Sequence, residues 1–557
     1  MTRSLLFLHA RPGRGTELLR ILERLGVLAV ASEQPGFLGV DVGTSVDAED
    51  DVVIVGSWAT AEHYERWLAG PIPGLLLQQI EGLLETGPVC TGSSNPSADS
   101  APGETMSCRE TMPSPLLVDL YELTMAESYL AEGLSERQAT FQLTCRHLPP
   151  GWGYLLAAGL DDVLTFLEEL RFAEDDLAAL AESGRFSDRL LDRLRTLRFT
   201  GEVRAVPEGT IVFPDEPLVE VTGPVLEAQL TETAVLNHVH FQTVIASKAA
   251  RCVDAAAGRR LVDFSLRRAH GLEAGLLVAR SSWLAGFDAT SNVLAGHLYE
   301  IPVAGTMAHS YVECFETELG AFEAFVRGFP DGSTLLVDTY DTIAGTRRAA
   351  SVARRLGAHG GRLASIRLDS GDFLELSRRC RAILDAAGLR DVTIFASGSL
   401  DEIEIARLLT QGAPIDAFGV GSRLGVSADA PYLDMAYKLV EFDGQPTLKL
   451  STGKLTLPGR KQVWRTMEDG LLDQDVIALE SEPAPKGAEP LLQPVMHGGT
   501  TILREGLRAA RTRAGRERAA LPPDLHRPDS LGRTAALSPG VIELRDRAIA
   551  RAIALNV

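Results

Sequence analysis

The chain has 557 residues, 45% of them hydrophobic and 23% charged, with 52 glycines, a balance that excludes a disordered or fibrous protein and asks for two to four domains. It carries 54 basic and 75 acidic residues, a net charge of −21, so no broad surface is offered to nucleic-acid phosphates and nucleic acid is not expected as a partner. Six cysteines stand without CxxC or zinc spacing, the first apolar run ends before His9, and no stretch reaches the roughly 20 apolar residues of a membrane span. A reducing cytoplasm and no membrane are therefore expected.

In chain order, a strand Leu5–Ala10, a helix near Thr16–Leu25, strands Phe37–Val42 and Val52–Trp58, a helix Ala61–Ala69 and an apolar segment Leu75–Leu84 suggest a small α+β sandwich over residues 1–89. Cys90 to Met112 is rich in Ser, Pro, Gly and Thr, and residues 90–113 read as a flexible linker. Leu116–Leu130 has helical spacing, followed by a β-rich region through Val221 punctuated by Gly and Pro. Glu232 and Lys248 fall on a helix ahead of the next region, lining a site or capping it. From about Ala250, short apolar strands alternate with helices: Leu261–Phe264, Ile301–Gly305, Thr334–Asp338, Ala364–Leu368, Val392–Ala396 and Ala417–Val420. That alternation predicts a parallel sheet closed into a barrel or near-barrel. The basic stretch Arg504 to Arg518 reads as the solvated face of a late helix.

The strand ends carry the chemistry. GTMAHS brings Thr306 and His309; VDTYDT brings Asp338 and Asp341; RLDSGD brings Arg367, Asp369 and Asp372; ASGSLDE brings Ser397, Gly398 and Ser399; GVGSRLG brings Gly421 and Ser422. In a β/α barrel these ends converge on one rim. Backbone N–H groups of Gly-Ser turns hold phosphate oxygens and aspartates hold Mg²⁺ on a pyrophosphate, so the mixture suits a polyphosphorylated sugar. Taken singly, a strand-end Asp is as often a helix cap as a ligand, and His238, His270 and His297 show no metal-ligand spacing. No protein metal centre is expected.

Two resemblances follow. The ARPGR turn, QPGFLGVDV, Ser57-Trp58 and HYERWLAG resemble an antibiotic-biosynthesis-monooxygenase (ABM) domain, which implies a ferredoxin-like fold used for packing or dimerisation. An oxygenase within Leu5–Leu84 is the competing reading of that part. DLYELTM, DFSLRRAHG, GFDATSNVLAG, GTMAHS, VDTYDT, RLDSGD, ASGSLDE, GVGSRLGVSADAPYLD and KQVWR, in this order, resemble nicotinate phosphoribosyltransferase over about four fifths of the chain.

The second resemblance implies a type II phosphoribosyltransferase: an α/β N-terminal domain (residues 114–249, completed by 470–557), an incomplete α/β barrel (250–469), and a homodimer with sites at the interface. It implies the joining of nicotinate to phosphoribosyl pyrophosphate (PRPP), with Mg²⁺ required and ATP consumed as co-substrate, in NAD synthesis or salvage. By motif, Phe264 and a partner's Tyr121 would sandwich the pyridine, with Arg267 and Asp288 at its carboxyl end. Arg367 and Asp369 would bind ribose and phosphates, with Thr306 beside them, and the Ser397–Ser399 and Gly421–Ser422 loops the 5-phosphate. ATP would phosphorylate His309, its ring oriented by Asp338. This sequence has Ser265, Ala289 and Ser399 where the family commonly has glycine, so another pyridine, nicotinamide included, stays open as substrate, as does a binding or regulatory role without turnover.

Overall fold

A computed structural model of the chain describes residues 2–10, 14, 37–44, 51–59, 89–92, 114–450 and 456–556, in two compact units, 1–110 and 111–557. In the first, β1 (Thr2–His9), β2 (Phe37–Thr44), β3 (Asp51–Trp58) and β4 (Val89–Gly92) form one sheet in the order β2-β3-β1-β4, every pair antiparallel. β4 takes the first three residues assigned above to the linker, because Cys90, Thr91 and Gly92 pair with Leu6, Leu5 and Ser4. The helices near Thr16–Leu25 and Ala61–Ala69, the segment Leu75–Leu84 and the rest of the linker lie outside the described residues.

The second unit opens with α1 (Leu120–Ala131), begun at Asp119 and burying Leu123, Ala126 and Leu130 at helical spacing. β5 (Gln138–Cys145) follows. The next segment is more helical than the Gly and Pro punctuation suggests: α2 (Leu160–Glu169), α3 (Glu174–Glu182) and α4 (Asp188–Arg195) precede β6 (Glu202–Ala205) and β7 (Pro217–Pro224). Their apolar residues fall at helical spacing, as in Leu190, Leu191 and Leu194, and Ser187 accepts the Leu190 N–H to start α4.

α5 (Glu232–Ala256) then runs for 25 residues into the barrel region. There β8 (Arg260–Asp263), β9 (Ala289–Thr290), β10 (Asp331–Leu336), β11 (Arg362–Leu368), β12 (Thr393–Ser397) and β13 (Ala417–Val420) form a six-stranded parallel sheet in the order β9-β8-β13-β12-β11-β10. β9 and β10 are not paired, so the barrel is incomplete. Apolar runs such as Ala417–Val420, buried throughout, are what a parallel sheet covered on both faces requires. Ile301–Gly305 makes no strand: it touches β9 only through a bridge between Thr290 and Val303, since Pro302 has no N–H to continue a ladder.

β14 (Met435–Phe442) leaves the barrel and pairs with β5, so these residues belong to the antiparallel sheet and not to the barrel span 250–469. β15 (Gln493–His497) pairs with β6 in that same sheet, so C-terminal residues complete it. α6 (Leu507–Ala519) carries most of the basic stretch; Arg508 and Arg516 are solvated as expected, whereas Arg511, Arg513 and Arg518 are anchored. Arg511 donates to the Trp283 and Phe287 carbonyls, Arg513 to that of Glu208, and Arg518 to Asp254.

Candidate functional site

The carboxyl ends of β11 and β12 and the Thr306–Met307 loop converge on one guanidinium. From the end of β11, Arg367 donates to Ser397 Oγ at 2.7 Å, Thr306 Oγ1 at 2.9 Å, the Met307 carbonyl at 3.3 Å and Asp369 Oδ1 at 2.7 Å. Each donor of its planar fork thus pins a different loop, a task a lysine cannot perform. Ser397, itself buried, donates its hydroxyl hydrogen bond to Asp369 Oδ1 at 2.5 Å. Burial alone would raise the Asp369 pKa, but the Ser397 hydroxyl and the Arg367 charge outweigh it and hold the carboxyl below its ordinary range.

His309 begins the short helix His309–Glu313, in the loop that Arg367 grips through Thr306 and Met307. Its Nε2 lies 3.7 Å from Asp369 Oδ2 and its Nδ1 is 3.1 Å from Thr339 Oγ1. Asp338, expected to orient this ring, does not bond it. Asp338 Oδ2 accepts from the Asp369 N–H at 3.0 Å and from Ser370 Oγ at 2.7 Å, while Oδ1 is buried without a hydrogen-bond partner among the described residues. The carboxylate thus clamps the turn after β11, and its neighbour Thr339 faces the imidazole.

Phe264, just past β8, forms the floor. Its N–H donates to Val420 O, its ring centroid is 5.6 Å from that of Phe395, and the Arg367 guanidinium carbon sits 5.3 Å above it. Glycines keep the floor accessible. A Cβ on Gly419 would come within 2.7 Å of the Phe264 ring, and one on Gly398, at φ 108°, within 2.2 Å of Asp369 O. Ser399 holds φ 52° despite its side chain. Gly421 and exposed Ser422 start another short turn beside Phe264, where a Cβ on Gly421 would approach Phe264 O to 3.0 Å. Ser265 and Ala289 are both fully enclosed, Ser265 against Gly425 and Ala289 beside Val262 and Phe395.

Other expected residues stand elsewhere. Asp288 precedes β9, at the opposite end of the strands from Phe264, where its carboxylate accepts the Leu261 N–H at 2.8 Å. It is a strand-end cap and does not border the floor. Arg267 is exposed at the mouth, on the turn after Phe264, and no described residue bonds or pairs with it. Tyr121 projects from α1, 45% exposed, with its phenol pKa raised by burial and by Glu232. α1 packs on α4 and on the helix Val225–Gln229, away from the barrel strands. Asp341, Asp372 and Asp401 are helix caps, accepting from the N–H groups of Ala344, of Leu374 and Glu375, and of Glu404. Lys248 is buried on α5 and bridges Glu402 at 2.6 Å and Asp429 at 2.5 Å, supporting the rim from behind.

Two residues unremarked in the sequence join the site. Asp263, buried with its pKa raised by that burial, accepts from Ser265 N and Thr290 Oγ1 and so ties the Phe264 turn to β9. Thr339 is the other, and its adjacency to the expected Asp338 was the available signal. Among the described residues no group of three or more His, Cys, Asp or Glu is placed to hold a metal ion, and no helix is long and apolar enough to cross a membrane.

A rim of glycine turns, hydroxyls, one guanidinium and one imidazole over an aromatic floor can hold phosphates above a flat ring. The chain's similarities agree. Residues 116–240 match the nicotinate phosphoribosyltransferase (NAPRTase) N-terminal domain, 259–457 the nicotinate phosphoribosyltransferase (NAPRTase) family, and 1–72 the antibiotic biosynthesis monooxygenase family. A nicotinate phosphoribosyltransferase of Mycobacterium tuberculosis is 52% identical over 419 residues, 75% of this chain and 89% of its own length. That of Bacillus subtilis is 42% identical, over 66% of this chain and 76% of its own. The crystal structure of human nicotinic acid phosphoribosyltransferase superposes with a TM-score of 0.70 at 31% identity, covering 77% of this chain and 99% of that one. With relatives this similar over most of their length, the chain belongs to the nicotinate phosphoribosyltransferase family, preceded by a segment of the antibiotic biosynthesis monooxygenase family.

Proposed function

We propose that the barrel rim joins nicotinate to PRPP, releasing pyrophosphate and nicotinate mononucleotide, with ATP hydrolysed alongside. The observation that carries this is the Arg367 hub, which fixes Thr306, Met307, Asp369 and Ser397 around one mouth above Phe264. Attack of the neutral pyridine nitrogen on C1 of the ribose needs alignment and charge stabilisation more than proton transfer, and this rim offers no acid-base pair dedicated to such a transfer. Phe264 stacks the ring, and Arg267, exposed and without a partner among the described residues, meets its carboxylate. Arg367 and Asp369 hold ribose and phosphates, and the Gly398–Ser399 and Gly421–Ser422 turns hold the 5-phosphate through backbone N–H groups.

Mg²⁺ enters with its polyphosphate, whose oxygens it neutralises when bound; the described residues build no cage of their own for it. Tyr121, exposed and remote from the barrel strands, closes the pyridine site of a partner copy in a homodimer. His309 takes the γ-phosphoryl group of ATP. The thiols of Cys145, Cys252, Cys314 and Cys380 are free, which suits work in a reducing cytoplasm. The test is nicotinate mononucleotide formation with and without ATP, in the wild type and in His309→Ala. ATP is expected to raise turnover in the wild type only. A variant that keeps full ATP stimulation would show that coupling resides elsewhere.

A further inference from the structure

We propose that Thr339, and not the adjacent carboxylate of Asp338, holds His309 in the tautomer able to accept a phosphoryl group; this rests on the ATP reading above. A neutral imidazole has one proton and two nitrogens, and the hydrogen bond at one nitrogen decides which keeps a lone pair. Nδ1 faces Thr339 Oγ1 at 3.1 Å, whereas Nε2 stands 3.7 Å from Asp369 Oδ2, beyond hydrogen-bond reach. A proton on Nδ1 therefore has an acceptor, and a proton on Nε2 has none within bonding distance. In the tautomer this proposal assigns, Nδ1 donates to the Thr339 hydroxyl oxygen and Nε2 is left free.

Asp338 makes no hydrogen bond to the ring: its Oδ2 accepts from Asp369 N and Ser370 Oγ, and its buried Oδ1 has no partner among the described residues. That clamp fixes the backbone on which Thr339 stands, directly after Asp338, and Val337 N–H donates to Arg367 O to hold the strand end from its other side. The step balances as follows. The Nε2 lone pair forms the N–P bond to the γ-phosphorus, the bond from that phosphorus to the β,γ-bridging oxygen breaks, and its electron pair leaves on ADP. The Nδ1 proton stays in place, and the positive charge the ring acquires is shared with the threonine oxygen. The Asp369 charge near Nε2 is offset by Arg367 at 2.7 Å, which lessens its repulsion of the incoming phosphate.

The experiment incubates the full chain with γ-labelled ATP and measures the initial rate of acid-labile, base-stable label on the peptide containing His309. Wild type, Thr339→Val, Thr339→Ala and Thr339→Ser are compared at saturating ATP. Valine keeps the shape and removes the hydroxyl, so the rate falls roughly 3- to 10-fold, the effect of one neutral hydrogen bond. Alanine gives the same loss, which guards against a packing fault particular to valine, and serine, which keeps the hydroxyl, restores most of the rate. Label rates in valine and alanine equal to wild type overturn the role of Thr339 while leaving the ATP reading intact. A serine variant as slow as valine overturns it too, because a hydroxyl then does not suffice. Absence of label from His309 in the wild type overturns the ATP reading and this role with it.

Discussion

Single side chains set the tolerance of the rim. Arg367 makes four hydrogen bonds to three segments, so Arg367→Lys is expected to lower kcat/KM at least about 100-fold while shifting the thermal midpoint little. Steady-state kinetics beside a melting curve decides it, and a loss below tenfold would contradict the hub. Glu122 on α1 is a second case. It is fully buried with Oε2 unpartnered among the described residues, and burial raises its pKa to about 7, only partly relieved by Thr233. A carboxyl raised in the fold contributes stability that is complete below its unfolded value and is lost as pH rises through about 7. Glu122→Gln, neutral at every pH, should therefore gain on the wild type between pH 5 and pH 8 by on the order of 2 kcal/mol, read from paired unfolding curves. A difference that does not change with pH would reject the assignment. Arg367, Asp369 and Ser397 were legible as strand-end residues, whereas Thr306 was named for a strand over Ile301–Gly305 that does not form. The partner of the His309 ring was not legible, because Asp338 and Thr339 are adjacent and only backbone direction decides which one faces the imidazole.

At the scale of elements, periodicity located β8 and β10 to β13 to within a few residues, because a parallel strand covered on both faces leaves a short unbroken apolar run. It missed α2 to α4, where Gly and Pro in the connections drew attention from the leucine spacing between them. Asp288 was expected beside the pyridine carboxyl from the resemblance alone; periodicity did not mark β9, whose two residues carry too little pattern to show that Asp288 precedes it. Arg511, Arg513 and Arg518 of α6 were misread, because a charge run looks solvated until the acceptors appear, here Asp254 and several carbonyls from distant segments. Asp254 is buried, and although burial opposes its ionisation, His526 and Arg518 keep its pKa low. Arg518→Met should therefore destabilise the second unit by about 2 to 4 kcal/mol, because it strips a buried carboxylate of its main countercharge. Denaturant unfolding measures this, and a change under about 0.5 kcal/mol would place the pair among ordinary surface bridges.

For the whole molecule, division into two compact units means that the second should stand without the first. A chain lacking residues 1–107 is expected to fold and to keep PRPP-dependent turnover within about threefold, since all the rim residues lie beyond residue 260 and α1 begins at Leu120. Soluble truncated protein without turnover would make the first unit part of the catalytic machinery. The central claim, that this rim carries out phosphoribosyl transfer to a pyridine carboxylate, is tested most directly by the kcat/KM of the full chain for nicotinate, nicotinamide and quinolinate, with MgPRPP and ATP present. Arg267, exposed beside Phe264 and without a partner among the described residues, predicts nicotinate ahead of nicotinamide by at least about 100-fold, the value of a charge-assisted contact an amide lacks. Comparable efficiencies for nicotinate and nicotinamide, or no transfer to nicotinate, would contradict it.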